Sequence, residues 1–159
     1  MNTSDFSPQS KVWIYQSNRF FTANEVENIN CELADFTQQW TAHNQQLKAV
    51  GQVCYALFIV LMVDETQADA SGCSIDKSVR FIKDIEQRYG VSLFDRFQIA
   101  YLDHHQVKIT NREGFIDLFN AGKIDDFTNV FNNVLQTKQD FDQNWIVPVE
   151  NSWHRMLVV

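Results

Sequence analysis

The stretch Tyr55-Ala-Leu-Phe-Ile-Val-Leu-Met-Val-Asp64 decides how the rest of this sequence is arranged. It holds nine of the ten residues of the longest apolar run of the chain, Cys54–Val63. That run is much shorter than the roughly 20 residues that a membrane-spanning helix needs. The run is also rich in Phe, Ile and Val, and this composition favours a strand over a buried helix. We therefore predict a central strand that is buried on both faces.

A helix is predicted on each side of this strand. Thr22-Ala-Asn-Glu25 fits a capping box, in which the Thr hydroxyl and the Glu carboxylate satisfy each other's backbone amides. Apolar residues then recur at intervals of three and four, which predicts a helix as far as about His43. After a polar loop at residues 65–71, similar spacing predicts a second helix over residues 75–89, with Gly90 in the left-handed position that ends it.

Shorter patterns predict the remaining elements. Strands are expected at residues 12–15, 47–53, 127–135 and 155–158, and a β-hairpin at residues 97–102 and 106–110. Two further helices are expected, at residues 113–121 and after Thr137. Consecutive strands without an intervening helix exclude a purely parallel sheet.

These elements together predict the α+β class. We expect a single domain over residues 11–159, in which about four helices pack on a mixed or mainly antiparallel sheet. The polar residues 1–10 are expected to form a flexible tail.

Composition excludes several classes of protein. Thirteen Lys and Arg stand against 20 Asp and Glu, for a formal net charge of -7, and the basic residues form no cluster in the sequence. Nucleic acid is therefore not expected as a partner, because affinity for phosphate backbones comes largely from Lys and Arg. The same balance provides no polybasic anchor for an anionic membrane. The hydrophobic share of 45% is too high for a disordered chain.

Cysteine usage and the first residues favour a cytoplasmic protein with free thiols. The three cysteines, Cys31, Cys54 and Cys73, form no CxxC pair and no zinc-site spacing. Residues 1–11 are polar and lack the apolar core of a signal peptide. The four histidines show no HxxxH or HExxH spacing, so each of them, His154 included, is expected as a surface or capping residue. We expect no metal, no cofactor and no membrane insertion.

The segment Ala70-Ser-Gly-Cys-Ser-Ile-Asp-Lys-Ser78, which joins the central strand to the second helix, is the best candidate site. A helix N-terminus offers free amides and a partial positive charge, which favour anions and thiolates. Cys73 is therefore the best nucleophile candidate, with Asp76 as its acid/base partner. Ser71, Gly72 and Ser74 are candidate ligand-binding residues. The alternative is structural: a serine caps the helix, Asp76 favours its dipole, and Cys73 packs as a small apolar residue.

Three further residues extend the candidate site. Asp64 ends the central strand, and Arg80 lies within the predicted second helix. Arg96 follows that helix and can pair with Asp64, Glu65 or Asp76. Named motifs do not match. A phosphatase-type loop needs five residues between Cys and Arg, and six separate Cys73 from Arg80. A P-loop needs two glycines before and next to a Lys-Ser pair. When it is aligned on the Lys-Ser pair at positions 77–78, neither glycine is present.

Several segments, spread over nearly the whole chain, resemble one family. The most distinctive are Val12-Trp-Ile-Tyr-Gln-Ser-Asn-Arg19, Ser71-Gly-Cys-Ser-Ile-Asp76 and Phe94-Asp-Arg96. They are similar to a family of small cytoplasmic proteins of Bacteroidetes-type bacteria whose members carry the label ABC transporter ATPase. The resemblance implies a cytoplasmic location and brings no functional residue with it. The label implies nucleotide binding, although this sequence has no intact Walker A segment.

Three hypotheses follow from the sequence. The first is an accessory or binding domain, whose partner is a protein or a small anionic ligand, because no catalytic motif is complete. The second is a thiol-dependent or acid/base-dependent hydrolase or transferase centred on Cys73, Asp76, Asp64 and Arg96. The third is the nucleotide-binding protein that the family label suggests. The sequence does not decide the oligomeric state.

Overall fold

Four α-helices and nine β-strands are present in a computed structural model that describes residues 1–159. The helices are α1 (Ala23–Gln39), α2 (Gly72–Tyr89), α3 (Arg112–Asn120) and α4 (Lys138–Asn144). The strands are β1 (Lys11–Gln16), β2 (Thr41–Ala42), β3 (Gln45–Gln46), β4 (Lys48–Cys54), β5 (Phe58–Asp64), β6 (Gln98–Asp103), β7 (Gln106–Asn111), β8 (Asn129–Phe131) and β9 (Ile146–Pro148).

The predicted central strand is β5, and all seven of its residues are buried. It lies in the middle of a three-stranded antiparallel sheet with the order β1-β5-β4. A second antiparallel sheet has the order β7-β6-β8-β9, and β2 and β3 form a separate small hairpin. The prediction of an α+β domain with mainly antiparallel strands is confirmed. The expected single sheet is replaced by two.

The two sheets stack face to face, and helices cover both outer faces. Successive β5 side chains point to opposite faces of the sheet. Phe58, Val60 and Met62 pack against Phe131 of the second sheet. Ile59 and Leu61 pack instead against α1 and α2, on the outer face of the first sheet. The outer face of the second sheet is covered by α3 and by the C-terminal residues. Two sheets form because β6 is apolar on both of its faces. One face is buried against the first sheet and the other against α3 and the C-terminal residues.

The predicted capping box starts α1. The hydroxyl of Thr22 accepts a hydrogen bond from the Glu25 amide, and the Glu25 carboxylate accepts one from the Thr22 amide. The helix ends at Gln39, before the predicted end, because Trp40 leaves the helix and becomes fully buried. Its indole Nε1 donates to the Ser74 carbonyl oxygen of α2 at 2.8 Å.

Removing this cap is expected to weaken α1. Thr22→Ala should lower the free energy of unfolding by about 0.5–2 kcal/mol, because it leaves the Glu25 amide without its side-chain acceptor. Urea unfolding followed by circular dichroism measures the change. Ser92→Ala is a suitable control, since it also removes a hydroxyl, but one that is exposed and caps no helix. An equal loss in both variants would show that the cap makes no contribution of its own.

Ion pairs clamp α1 and α2 to each other. Arg88 of α2 holds the Glu32 carboxylate with two hydrogen bonds of 2.8 and 2.7 Å. At the other contact, Arg19 binds the Glu25 carboxylate and the carbonyl oxygen of Tyr89. The hydrogen bond from Arg19 contributes most to lowering the pKa of Glu25 to about 2. The two helices therefore form one layer over the first sheet.

The predicted hairpin at His104 and His105 is confirmed. It connects β6 to β7, and both residues have positive φ angles, of 49° and 67°. Two-residue turns of this kind suit the twist of the flanking strands but favour Asn and Gly. The turns at Tyr55–Ala56 and at residues 43–44 also use residues other than glycine at positive φ.

Residues 1–10, expected as a flexible tail, form turns that contact the rest of the domain. Phe6 packs against the cluster between the sheets, and Ser10 is buried. The Ser7 amide donates to Asp64 at 2.9 Å. The domain in the structure therefore begins before residue 11.

Two predicted strands are corrected. The strand expected at 127–135 is only the three residues of β8. The strand expected at 155–158 is wrong: the segment lies in a 3-10 helix, Trp153–Val158, and the last strand is β9. In this segment His154 is buried, its Nδ1 lies 2.7 Å from the Ser152 hydroxyl, and the 3-10 helix packs against α3. None of the helices is both long and apolar enough to cross a membrane.

Candidate functional site

An open depression lies on the outward face of α2, opposite the side chains of Ile82 and Ile85 that pack on the first sheet. Its lining comes from α2 alone: Cys73, Asp76, Lys77, Val79, Arg80 and Lys83. The spacing of three and four residues places these side chains along one face of the helix. Three of the predicted site residues, Cys73, Asp76 and Arg80, are thus brought together. The site is an exposed surface, with no second element closing over it.

Three cations of this depression have no carboxylate partner. We call Lys77, Arg80 and Lys83 the basic stripe. None of their side-chain nitrogens lies within 4.0 Å of a carboxylate oxygen, whereas Arg88 on the same helix contacts both Glu32 and Asp84. Unpaired surface cations remain available to an anion from solution. The stripe is notable because the whole chain carries a net charge of -7.

The start of α2 uses its serines to cap the helix. The Ser71 hydroxyl accepts from the Ser74 amide, and the Ser74 hydroxyl donates to the Ser71 carbonyl oxygen at 2.8 Å. Ser74 is buried, so it is not accessible to a ligand. Gly72 is exposed, and a Cβ at this position would meet no atom within 4 Å. The structure therefore supports the capping role for Ser71 and leaves only Gly72 and Cys73 open at this end of the helix.

Cys73 is exposed and lies at the edge of the depression. The structure shows no hydrogen bond between its thiol and a histidine or carboxylate. Activation of a thiol by a neighbouring base requires that contact, although it can be longer in the absence of substrate. No group of three or more His, Cys, Asp or Glu side chains is arranged to hold a metal ion. The ionic groups that line this surface are three cations and one carboxylate.

Asp64 lies apart from this surface. It is buried and accepts hydrogen bonds from the amides of Ser7 and Thr66, at 2.9 and 3.0 Å, and Lys48 lies 3.6 Å away. Burial acts to raise the pKa of Asp64, but the two amides and the Lys48 ammonium outweigh it and lower that pKa to about 2. Asp64 therefore ties the N-terminal residues to the end of β5.

Arg96 also lies apart from the start of α2. It is exposed, follows the far end of that helix and makes no ion pair with Asp64 or Asp76. The predicted pairing is therefore absent. The reason is the length of α2, whose 18 residues separate its two ends by about 27 Å.

Sequence analysis overlooked two members of the basic stripe, Lys77 and Lys83. Their spacing of three residues from Arg80 was visible in the sequence, because positions i and i+3 are neighbours on a helix. Sequence analysis also treated His154 as a surface or capping residue, whereas it is buried beside Phe115 and Trp153. Burial lowers the pKa of His154 to about 4.

Comparison of the chain with models of protein families, with curated proteins and with solved structures gave no match. The family resemblance therefore stays a prediction, and the function is argued from the site alone.

Proposed function

We propose that this protein is a non-enzymatic accessory domain of the cytoplasm, which binds an anionic ligand or an acidic segment of a partner protein on the outer face of α2. The observation that carries the proposal is the basic stripe, in which three unpaired cations share one open depression. The only carboxylate in that depression is Asp76, so positive charge exceeds negative charge there by two.

The position of the stripe supports the proposal. Its three cations project from a helix that is held in place by the clamp to α1, so their spacing is set by a rigid element. Binding then needs little ordering beyond the three long side chains. The N-terminus of α2 lies at one end of the stripe and adds a partial positive charge there. Elsewhere the excess of acidic groups disfavours anions, which concentrates anion binding on this face.

The test measures binding of a fluorescent hexaglutamate peptide and of pyrophosphate by the whole chain. We expect the double variant Lys77→Gln/Arg80→Gln to weaken binding of both probes about tenfold, because it removes two exposed charge pairs that each contribute up to about 1 kcal/mol. We also expect the affinity of the unmodified chain to fall between 50 and 300 mM NaCl, since salt screens exposed charges.

A matched variant controls for net charge. Lys108 and Arg112 are exposed and unpaired and lie outside α2. Lys108→Gln/Arg112→Gln removes the same charge and should leave the affinity for both probes unchanged within about twofold. Equal losses in the two double variants would show that only net charge matters. The proposal would then be wrong.

A second function is favoured by one observation, the exposure of Cys73 on the same depression. In this alternative Cys73 is a nucleophile and the basic stripe holds an anionic substrate. Titration of its reactivity toward iodoacetamide against pH, in a chain with Cys31 and Cys54 replaced by Ala, tests the alternative. Reactivity no greater than that of free cysteine at every pH would exclude it.

A further inference from the structure

Large exposed apolar residues collect at one end of the stacked sheets. We call Phe20, Tyr55, Phe94, Phe97 and Val134 the apolar end. Phe97 is 72% exposed and Val134 66%. Large apolar residues exposed together at one end of a protein commonly mark an interaction site.

Their position at the same end follows from the topology. β1 ends at Gln16, which pairs with Phe58 at the start of β5, so Tyr55 in the preceding turn lies at this end. The Phe21 amide donates to the Ala56 carbonyl oxygen at 2.7 Å, which brings Phe20 to the same place.

The second sheet and the end of α2 bring the other three members. The Phe94 ring lies 5.3 Å from the Tyr15 ring, and Phe97 directly precedes β6. Val134 follows Asn133, whose side-chain Nδ2 donates to the Gln16 carbonyl Oε1 at 2.9 Å. The five apolar residues thus come from four connections that meet at one end of the molecule.

The apolar end is continuous with the basic stripe. α2 runs toward this end, and Lys83, the last cation of the stripe, has its Nζ 5.9 Å from the centre of the Phe94 ring. The positively charged outer face of α2 and the exposed apolar end of the stacked sheets therefore meet at one corner of the molecule. An occupant of both surfaces must offer acidic groups beside apolar ones and must bend around that corner.

We propose that the binding partner is an acidic peptide segment of another protein, with aromatic or aliphatic residues that pack on the apolar end and carboxylates that lie along the basic stripe. This inference rests on the proposed function and specifies its ligand. The stripe spans about 9 Å from Lys77 to Lys83, a length that three residues of an extended chain cover. A segment of about ten residues therefore reaches from the stripe across Phe94 to Phe97.

Two other occupants fit less well. A second copy of this chain would bring another basic stripe and another Arg96 to the contact, and like charges oppose association. A flat anionic membrane cannot contact the basic stripe and the apolar end at the same time, because they lie on two sides of a corner. The net charge of -7 also opposes its approach.

The experiment compares three labelled ten-residue peptides in fluorescence anisotropy with the whole chain. The first peptide has three acidic residues, four Gly and Ser spacer residues, and then Phe, Leu and Phe. It is also made in the reverse order, so that two versions of it are tested. The second has Ser in place of the apolar residues, and the third has Gln and Asn in place of the acidic ones. We expect the first peptide, in one of its two orders, to bind about tenfold more tightly than either of the others, because each loses one of the two contacts.

Two single variants locate the apolar contact. Phe97→Ser should weaken binding of the first peptide severalfold, by less than the loss of all its apolar residues does. It should leave the second peptide unchanged, because that peptide has no apolar side chain to lose. Phe127 is 76% exposed and lies before β8, at the opposite end of the sheets, so Phe127→Ser is a matched control that should have no effect. Thermal unfolding of both variants checks that they fold.

The possible failures are distinguishable. If the first two peptides bind equally, or if both Phe variants behave alike, the inference about the apolar end is wrong while the anionic site stands. If Lys77→Gln/Arg80→Gln leaves the affinity of every peptide unchanged, the proposed function fails as well. Dimerisation in sedimentation velocity that Phe97→Ser abolishes would instead identify a second copy as the occupant. Flotation with phosphatidylserine vesicles that the same variant abolishes would identify a membrane.

Discussion

Asp64→Ala is expected to lower the free energy of unfolding by about 3 kcal/mol and to release the N-terminal residues. The buried carboxylate accepts from the amides of Ser7 and Thr66, and a hydrogen bond to a charged group contributes about 1.5–3 kcal/mol. The substitution leaves both amides without this acceptor. Urea unfolding measures the loss, and limited proteolysis within residues 1–10 detects the release.

Asp5→Ala is the matched control, because both carboxylates contact the same ammonium group. The Lys48 Nζ lies 3.4 Å from Asp5 and 3.6 Å from Asp64. The Asp5 side chain is exposed, so removing it should cost at most about 1 kcal/mol. Similar losses in the two variants would mean that burial and the two amides contribute nothing to the role of Asp64.

The pH dependence of this contribution has a definite sign. Because the folded chain holds the pKa of Asp64 at about 2, below its ordinary value of 3.8, the folded state binds this proton less readily than the unfolded state. The stabilisation is therefore complete above pH 3.8 and is lost as the pH falls through 2. Glu25, whose pKa is also lowered to about 2, loses its contribution in the same acidic range.

Protonation of His154 is expected to destabilise the protein, and to do so at a higher pH than protonation of Asp64 and Glu25. Burial lowers its pKa from 6.5 to about 4, so the folded state binds this proton less readily than the unfolded chain does. Stability is therefore complete above pH 6.5 and falls by about 3 kcal/mol as the pH drops to 4. Urea unfolding at half-unit steps between pH 7.5 and 4 should show this decline.

His154→Gln removes the titrating group and keeps a polar side chain near the Ser152 hydroxyl. It should be less stable than the unmodified chain at pH 7, with a clearly shallower decline between pH 6.5 and 4. His104→Gln is the control, because that side chain is 97% exposed. If the decline stays equally steep in His154→Gln, another group must be responsible for it.

The sequence was sufficient for elements whose signals are local. The capping box at Thr22, the left-handed Gly90 and the uniformly apolar β5 each follow from residues close together in the chain, and the structure has all three. The fold class followed from the order of those elements. The stacking of two sheets did not, because it depends on which faces meet across long distances.

The candidate site was predictable in the same partial way. Periodicity on α2 was enough to bring Cys73, Asp76 and Arg80 to one face. Periodicity could not predict the surroundings of Asp64, which sequence analysis placed in the candidate site as the end of the central strand. The N-terminal residues cover that position, and no local pattern announces this contact between residues far apart in the chain. The burial of His154 was missed for the same reason.

The burial of β5 on both of its faces has a consequence for local unfolding of the protein. This strand is paired on both edges and packed on both faces, and α1 and α2 supply only one of those four contacts. If thermal motion lifts the helical layer, β5 still has both neighbouring strands and the second sheet. Local opening is therefore compatible with a persistent framework. Force applied to α2 would therefore act first on the helical layer, while the two stacked sheets stay packed on each other.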